Sequence, residues 1–215
     1  INAKKNNFFY RNTNLIIFII YFLWIFKLTL LYNYLNSTSI ISENGYALGG
    51  DSARYIVAAE QTLKGNLFNY PENIQMPTVA EGDTNNAYNY IGYVLFIAFF
   101  IYFNLGLFGA MLCQVLISGI AGYCLYKIGN QIWDKNVGLL SLFIFLFYFP
   151  LQQWTFYILT DSLFMSLGVI GFYFLTTKGS KLKLLFGIVI LFYTMSLRPF
   201  GIIILPTLIF YFYLI

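Results

Sequence analysis

The sequence predicts an all-α, polytopic integral membrane protein, and three observations carry that expectation. The 215-residue chain is 60% hydrophobic and only 9% charged, where a soluble domain carries roughly 25% charged residues; its mean hydropathy is +0.72. The apolar residues gather in runs of about 15 to 23, near the ~20 that an α-helix needs to cross a bilayer. The charges also segregate. Basic residues cluster at Lys4, Lys5 and Arg11, at Lys127 and Lys135, and at Lys178, Lys181 and Lys183. Glu43, Asp51, Glu60, Glu72, Glu81 and Asp83 all fall between the first two apolar runs. By the positive-inside rule the basic places are cytoplasmic, and the acidic loop is extracytoplasmic. The 24 Phe and 19 Tyr suit lipid-facing surfaces and interfacial belts.

The elements follow in order. A first span over about 14–35 runs outward. It carries Lys27, which either snorkels or faces a polar cavity. The loop over 36–88 contains a short helix at 52–64, which Gly65 ends. The run "YIGYVLFIAFFIYF", about 90–103, has the 10–14 residues of a re-entrant or interfacial segment. An odd number of crossings must lie between the outer end of the first span and Lys127, so this run is expected to dip into or lie along the outer leaflet. The second span is expected at about 106–127. Next come 137–159 outward, where Pro150 can kink the helix and open a cavity, and 161–177 inward. Residues 184–198 run outward, and a last run from Gly201 heads inward. About six spans and one re-entrant or interfacial helix then form one domain over 1–215. The chain begins at Ile1 and stops within "GIIILPTLIFYFYLI", so an incomplete domain is expected. The first apolar run is too long, and lacks the small-residue site, for a cleavable signal peptide.

Several chemistries are excluded at once. The chain has no His, which rules out serine–histidine triads and HExxH zinc motifs. Cys113 and Cys124 lie eleven residues apart in one apolar segment. That is about 16 Å of helix rise, too far for a disulfide, so both read as small packing residues.

The topology places three polar stretches on the outer side: "GGDSARYIVAAEQTLKG", "YILTDSLF" and "SLRPFG". Asp51 has two readings that can coexist: an N-cap whose carboxylate accepts backbone N–H bonds, and a positioned functional acid. The glycines before it would let backbone or substrate approach closely. Arg54 and Tyr55, three and four residues on, share its side of a helix. They read as a local ion pair or as a cation and hydroxyl for an anionic substrate. Asp161 is an N-cap or, as an interfacial acid, a functional group; Gln152, Gln153 and Thr160 add polarity at the same end. Arg198 follows a short apolar run, which leaves its guanidinium slightly sunken in the outer leaflet. It either binds phosphate or snorkels to lipid headgroups.

These stretches, taken in order with "YIGYVLFIAFFIYFNLGLFGAMLCQVL" and "LYKIGNQIWDKNVGLLSLFIFLFYFP", resemble the N-terminal half of bacterial GT-C fold glycosyltransferases. The resemblance is to the dolichyl-phosphate-mannose–protein mannosyltransferase-like group, which includes the lipid A aminoarabinose transferases. It covers nearly all of the chain. It implies a multi-pass enzyme of the inner (cytoplasmic) membrane, active on the extracytoplasmic face. The implied reaction is inverting transfer of a sugar from a polyprenyl-phosphate donor to a protein, lipid or cell-envelope glycan acceptor. Asp51 matches the family's catalytic or acceptor-facing acid, Asp161 its second cavity-lining acid, and Arg198 its contact to the lipid phosphate; Arg54 and Tyr55 are expected to contact substrate. The family's Lys-Pro element is absent from "NNAYNYIGY", so the first phosphate contact falls to no residue here.

The chemistry needs one carboxylate base for direct inversion, not the acid pair of a retaining glycosidase. It requires no metal or other cofactor. The expected partners are the lipid-linked donor, membrane lipids and the acceptor, with no nucleic acid. The alternative is a transporter or flippase of lipid-linked sugars, since acids, cations and broken helices also serve transport. Two features weigh against it: polar residues gather at the outer face, and the acidic outer loop carries its own helix.

Overall fold

The computed structural model describes residues 12–66, 89–177, 181–206 and 208–209. Lys4, Lys5, Arg11, Glu72, Glu81, Asp83 and Lys178 lie outside them. Every regular element among the described residues is a helix, with no strand beyond two isolated bridges.

The first helix, α1 (Thr13–Ser37), has 25 residues, about 38 Å of rise against a hydrocarbon core of about 30 Å. Ile20, Trp24, Leu28, Leu31 and Leu35 form its buried stripe, while Phe18, Phe22 and Phe26 point outward. The amphipathic α2 (Ser52–Leu63) buries Tyr55, Ala58 and Ala59. It ends at Gly65, whose φ of +84° suits glycine. Helix α3 (Ile91–Tyr102) has 12 residues, about 18 Å of rise, too short to cross. A tight turn with Asn104 at φ 56° and Gly106 at φ 63° leads into α4 (Gly106–Ile132), 27 residues long.

The next run is broken. Helix α5 (Lys135–Phe147) bends by 53° into the short α6 (Phe149–Gln153) and a 3₁₀ turn (Trp154–Phe156). Pro150 has no N–H and so cannot serve the carbonyl four residues back, which is that of Leu146. Lys27 of α1 serves it instead, its Nζ donating to the Leu146 oxygen at 3.3 Å above the Phe147 ring. Beside it, Gln152 Nε2 donates to the Phe145 oxygen at 3.1 Å. Lys27 thus has a partner inside the protein, at the break. The chain continues as α7 (Thr160–Thr176) and α8 (Lys181–Leu197), each of 17 residues, and a 3₁₀ segment (Pro199–Ile203).

By length and apolarity α1 and α4 can each cross a membrane; α5 with its bent continuation makes a third candidate span, and α3 and α7 are shorter apolar helices. Helix α4 packs on α5 and α7, α7 on α8, and α2 on α3. The α4–α5 contact is close because Gly138 faces Gly129; a Cβ on Gly138 would meet the Tyr126 carbonyl at 2.6 Å. Small residues of this kind let membrane helices approach.

Two buried glutamines tie the layers together. Gln152 accepts from Trp24 Nε1 at 2.8 Å and donates to Ser118 Oγ at 3.2 Å. Gln114 accepts from the Tyr93 hydroxyl at 2.8 Å and donates to the Tyr157 oxygen at 2.9 Å. Helices α1, α3, α4 and the segment after the break are thereby held in register.

Candidate functional site

The site is built by a staple between two stretches that lie about a hundred residues apart. Ala47 N donates to the Phe156 oxygen at 2.9 Å, and Ile158 N to the Ala47 oxygen at 3.1 Å. Ser52 Oγ donates to the Ile158 oxygen at 2.8 Å and accepts from Gly49 N at 2.7 Å. Gly49 lies so close to Leu159 that a Cβ there would meet its side chain at 2.8 Å. The start of α2 is thus fixed beside the start of α7, and Asp51 and Asp161 sit at those starts.

Asp51 occupies the N-cap position of α2, yet its carboxylate makes no capping bond. This corrects the capping reading: the Asp51 carboxylate accepts no N–H of the first turn, and the Ser52 hydroxyl, which accepts from Gly49 N ahead of the helix, fixes the approach to α2 instead. Its side chain is 51% exposed and lies 3.8 Å from Arg54 Nη1, a loose contact of small energetic weight. Asp134 shows what a capping aspartate looks like in the same molecule. It accepts from Asn136 N at 2.9 Å and Val137 N at 3.0 Å at the start of α5.

Asp161 is not a cap either. Leu159 holds the N-cap position, and Asp161 lies in the first turn of α7. Its carboxylate lies 2.9 Å from Arg198 Nη2, with both side chains one-third exposed. Arg198 stands in extended backbone just past α8, and its Nε donates to Thr160 Oγ1 at 2.8 Å. The guanidinium is held at two points, and its remaining N–H donors are directed elsewhere. Arg198 thus makes an ion pair within the cluster and stays one-third exposed.

Tyr55 joins the two halves. It is buried at 2% exposure, edge-on to Tyr93 and tilted against Tyr90, with ring centroids at 5.1 Å and 5.3 Å. Burial raises its phenol pKa, and Asp51 and Tyr90 raise it further, while Arg198 and the neighbouring Thr160 hydroxyl pull it back. The net shift is upward, so Tyr55 remains a neutral O–H donor within electrostatic reach of Asp51, Arg198 and Thr160.

The five sequence-predicted residues Asp51, Arg54, Tyr55, Asp161 and Arg198 thus form one neighbourhood at one end of the helices. Sequence reasoning missed Thr160 as the partner of Arg198, Ser52 as the local N–H acceptor, and Tyr90 and Tyr93 as the aromatic wall. The i, i+3 spacing of the two tyrosines in "YNYIGY" was the available signal for that wall. Chemically, the cluster offers an exposed carboxylate, a neutral phenol and a fixed cation. No three or more acids or cysteines gather as a metal cage among the described residues.

The chain matches no family model, no curated protein and no solved structure.

Proposed function

We propose that this cluster is the polar end of the active site of an inverting glycosyltransferase of the inner membrane. The enzyme would have a GT-C-like fold of about six spans with α3 re-entrant or interfacial. It moves a sugar from a polyprenyl-phosphate donor to an extracytoplasmic protein, lipid or envelope-glycan acceptor. The observation that carries the reading is that an uncommitted aspartate and an oriented arginine, from distant stretches, meet around one buried tyrosine.

In this reaction Asp51 takes the proton of the acceptor hydroxyl as that oxygen bonds to the sugar's anomeric carbon. The bond from that carbon to the phosphate oxygen breaks on the opposite face, which inverts the centre. Charge grows on the departing lipid phosphate. Arg198, oriented by Asp161 and Thr160, meets that charge with its remaining donors, which suit phosphate oxygens. Tyr55 donates its O–H beside the reacting atoms, and Arg54 contributes positive potential. A short α3 beside the cluster suits a substrate whose tail lies in lipid.

Two measurements test the reading. The protein in proteoliposomes should transfer label from a polyprenyl-phosphate sugar to a hydroxyl acceptor. Deletion of its gene should remove one sugar from surface glycans or lipids, read by mass spectrometry. Unchanged envelope glycans and lipids would overturn the assignment. So would movement of labelled lipid between leaflets with its sugar–phosphate bond intact, which is the behaviour of a transporter.

A further inference from the structure

Away from the cluster, an apolar cleft of about 410 Å³ opens between α1 and α4, lined by Tyr21, Trp24, Leu116, Gly119, Ile120 and Tyr123. Its floor exists because position 119 is glycine: a Cβ there would meet the Trp24 ring at 3.1 Å. The Tyr21 hydroxyl donates to the Gly119 carbonyl at 2.7 Å, so the two helices are pinned together at the cleft rather than splayed. Leu116 and Ile120 on its rim are largely exposed.

The α4 residues of this cleft are a single helical stripe. Leu116, Gly119, Ile120 and Tyr123 follow an i, i+3, i+4, i+7 spacing, and Lys127 continues the same stripe one turn beyond. The Lys127 ammonium lies 5.2 Å from the Tyr123 ring centroid and 5.8 Å from that of Tyr126. Among the described residues no carboxylate pairs with it. The eleven steps from Leu116 to Lys127 span about 16 Å of helix, close to half of a ~30 Å hydrocarbon core. An apolar cleft whose stripe continues to a cation that pairs with no carboxylate among the described residues matches, over about one leaflet, the length and charge of a single lipid.

The geometry points to a binding site for an anionic glycerophospholipid, with one acyl chain along the Leu116–Tyr123 groove and the headgroup phosphate at Lys127. This site lies at the Lys127 end of α4, opposite the end that leads back to the Asp51 cluster. It stands independently of the proposed reaction.

The test uses Trp24 as the reporter, since its ring lines the cleft. In the full chain with Trp133→Phe and Trp154→Phe, Trp24 fluorescence is followed in phosphatidylcholine vesicles. Increasing fractions of brominated phosphatidylglycerol or brominated phosphatidylcholine are added. Half-maximal quenching should come at about fivefold lower mole fraction for the anionic lipid, as one basic residue at a charged surface provides. Lys127→Ala should abolish that preference while both lipids still quench, and Lys127→Arg should retain it. Equal quenching by the two lipids in the parent protein would overturn the site, and so would a preference that survives Lys127→Ala. Relief of quenching by polyprenyl phosphate at the same mole fraction would make the donor lipid the occupant and overturn the assignment as well.

Discussion

Two polar regions of this molecule can be set side by side: the glutamine network at the helix break and the charged cluster beyond it. At the break the groups are neutral amides and one lysine, and they answer specific backbone or side-chain needs. Gln152 meets Trp24, Ser118 and the Phe145 carbonyl, and Lys27 meets the carbonyl that Pro150 strands. At the cluster two acids and two arginines surround a buried neutral tyrosine, Asp51, Asp161 and Arg198 are partly exposed, and the Asp51 carboxylate caps no backbone group. A polar network that is fully satisfied and buried fixes geometry. One that keeps an acid and a cation partly exposed leaves them within reach of the role proposed for them. The comparison makes a plain prediction: changes at the break should lower stability, and changes at the cluster should lower activity in a protein that still folds.

The largest effect is expected at Asp51. Asn fills the same space and would cap as well as Asp, but an amide cannot take a proton. Asp51→Asn should reduce sugar transfer by roughly 10²–10⁴-fold with its melting temperature kept. Near-normal transfer by the folded variant would remove Asp51 from the chemistry.

Arg198 comes next. Charge-assisted hydrogen bonds are worth about 1.5–3 kcal/mol, so Arg198→Ala should raise the KM for the lipid-linked donor by roughly 10- to 100-fold, with some loss of kcat. Lys should rescue only in part, because it cannot hold Thr160 and Asp161 at once with a planar fork. Donor kinetics unchanged in the alanine variant would leave the Asp161–Arg198 pair as a purely structural tie between α7 and the end of α8.

How much of this was legible beforehand follows from the range of the interactions involved. The helix at 52–64, the short run at 90–103 and the break near Pro150 were readable because they depend on local periodicity, length and proline's missing N–H. The grouping of Asp51, Asp161 and Arg198 on one side was readable from charge segregation. Their exact employment was not. Asp51 looks like a cap in sequence, yet its carboxylate accepts no backbone N–H; the approach to α2 is set instead by Ser52, which bonds Gly49 N and the distant Ile158 carbonyl. Thr160 meets Arg198 across 38 residues, and Lys27 meets Leu146 across 119. Pairings of that range depend on how the helices pack, which no local pattern encodes.

At the break the effects should be smaller and of another kind. Gln152→Leu strands the Trp24 N–H and the Phe145 carbonyl in a dry interior, at about 1–3 kcal/mol for each group. Thermal unfolding in detergent should show the loss, while the KM of the surviving enzyme stays put. A changed KM with unchanged melting would reverse the division of labour drawn above. Lys27→Met should cost less, about 1 kcal/mol, because its bond to the Leu146 oxygen is long at 3.3 Å. An unaltered melting temperature would mean that water or another group serves that carbonyl.

The smallest effect sharpens the comparison most, because it uses one residue type in two jobs. Asp134 and Asp51 both stand at the N-cap position of a helix, but only Asp134 accepts from the backbone, at Asn136 N and Val137 N. Removing those bonds with Asp134→Ala should cost about 1 kcal/mol, and Asp134→Asn should cost almost nothing because its side-chain oxygen accepts the same N–H groups. Neither should change transfer per folded molecule. Asp51 should show the reverse pattern: little stability lost with either Ala or Asn, and activity lost with both. The measurement is a paired set of melting curves and transfer rates for the four single variants. If Asp51→Ala melts as far below the parent as Asp134→Ala while Asp51→Asn melts and works like the parent, then Asp51 is a cap after all, and the exposed carboxylate at the start of α2 has no chemical task.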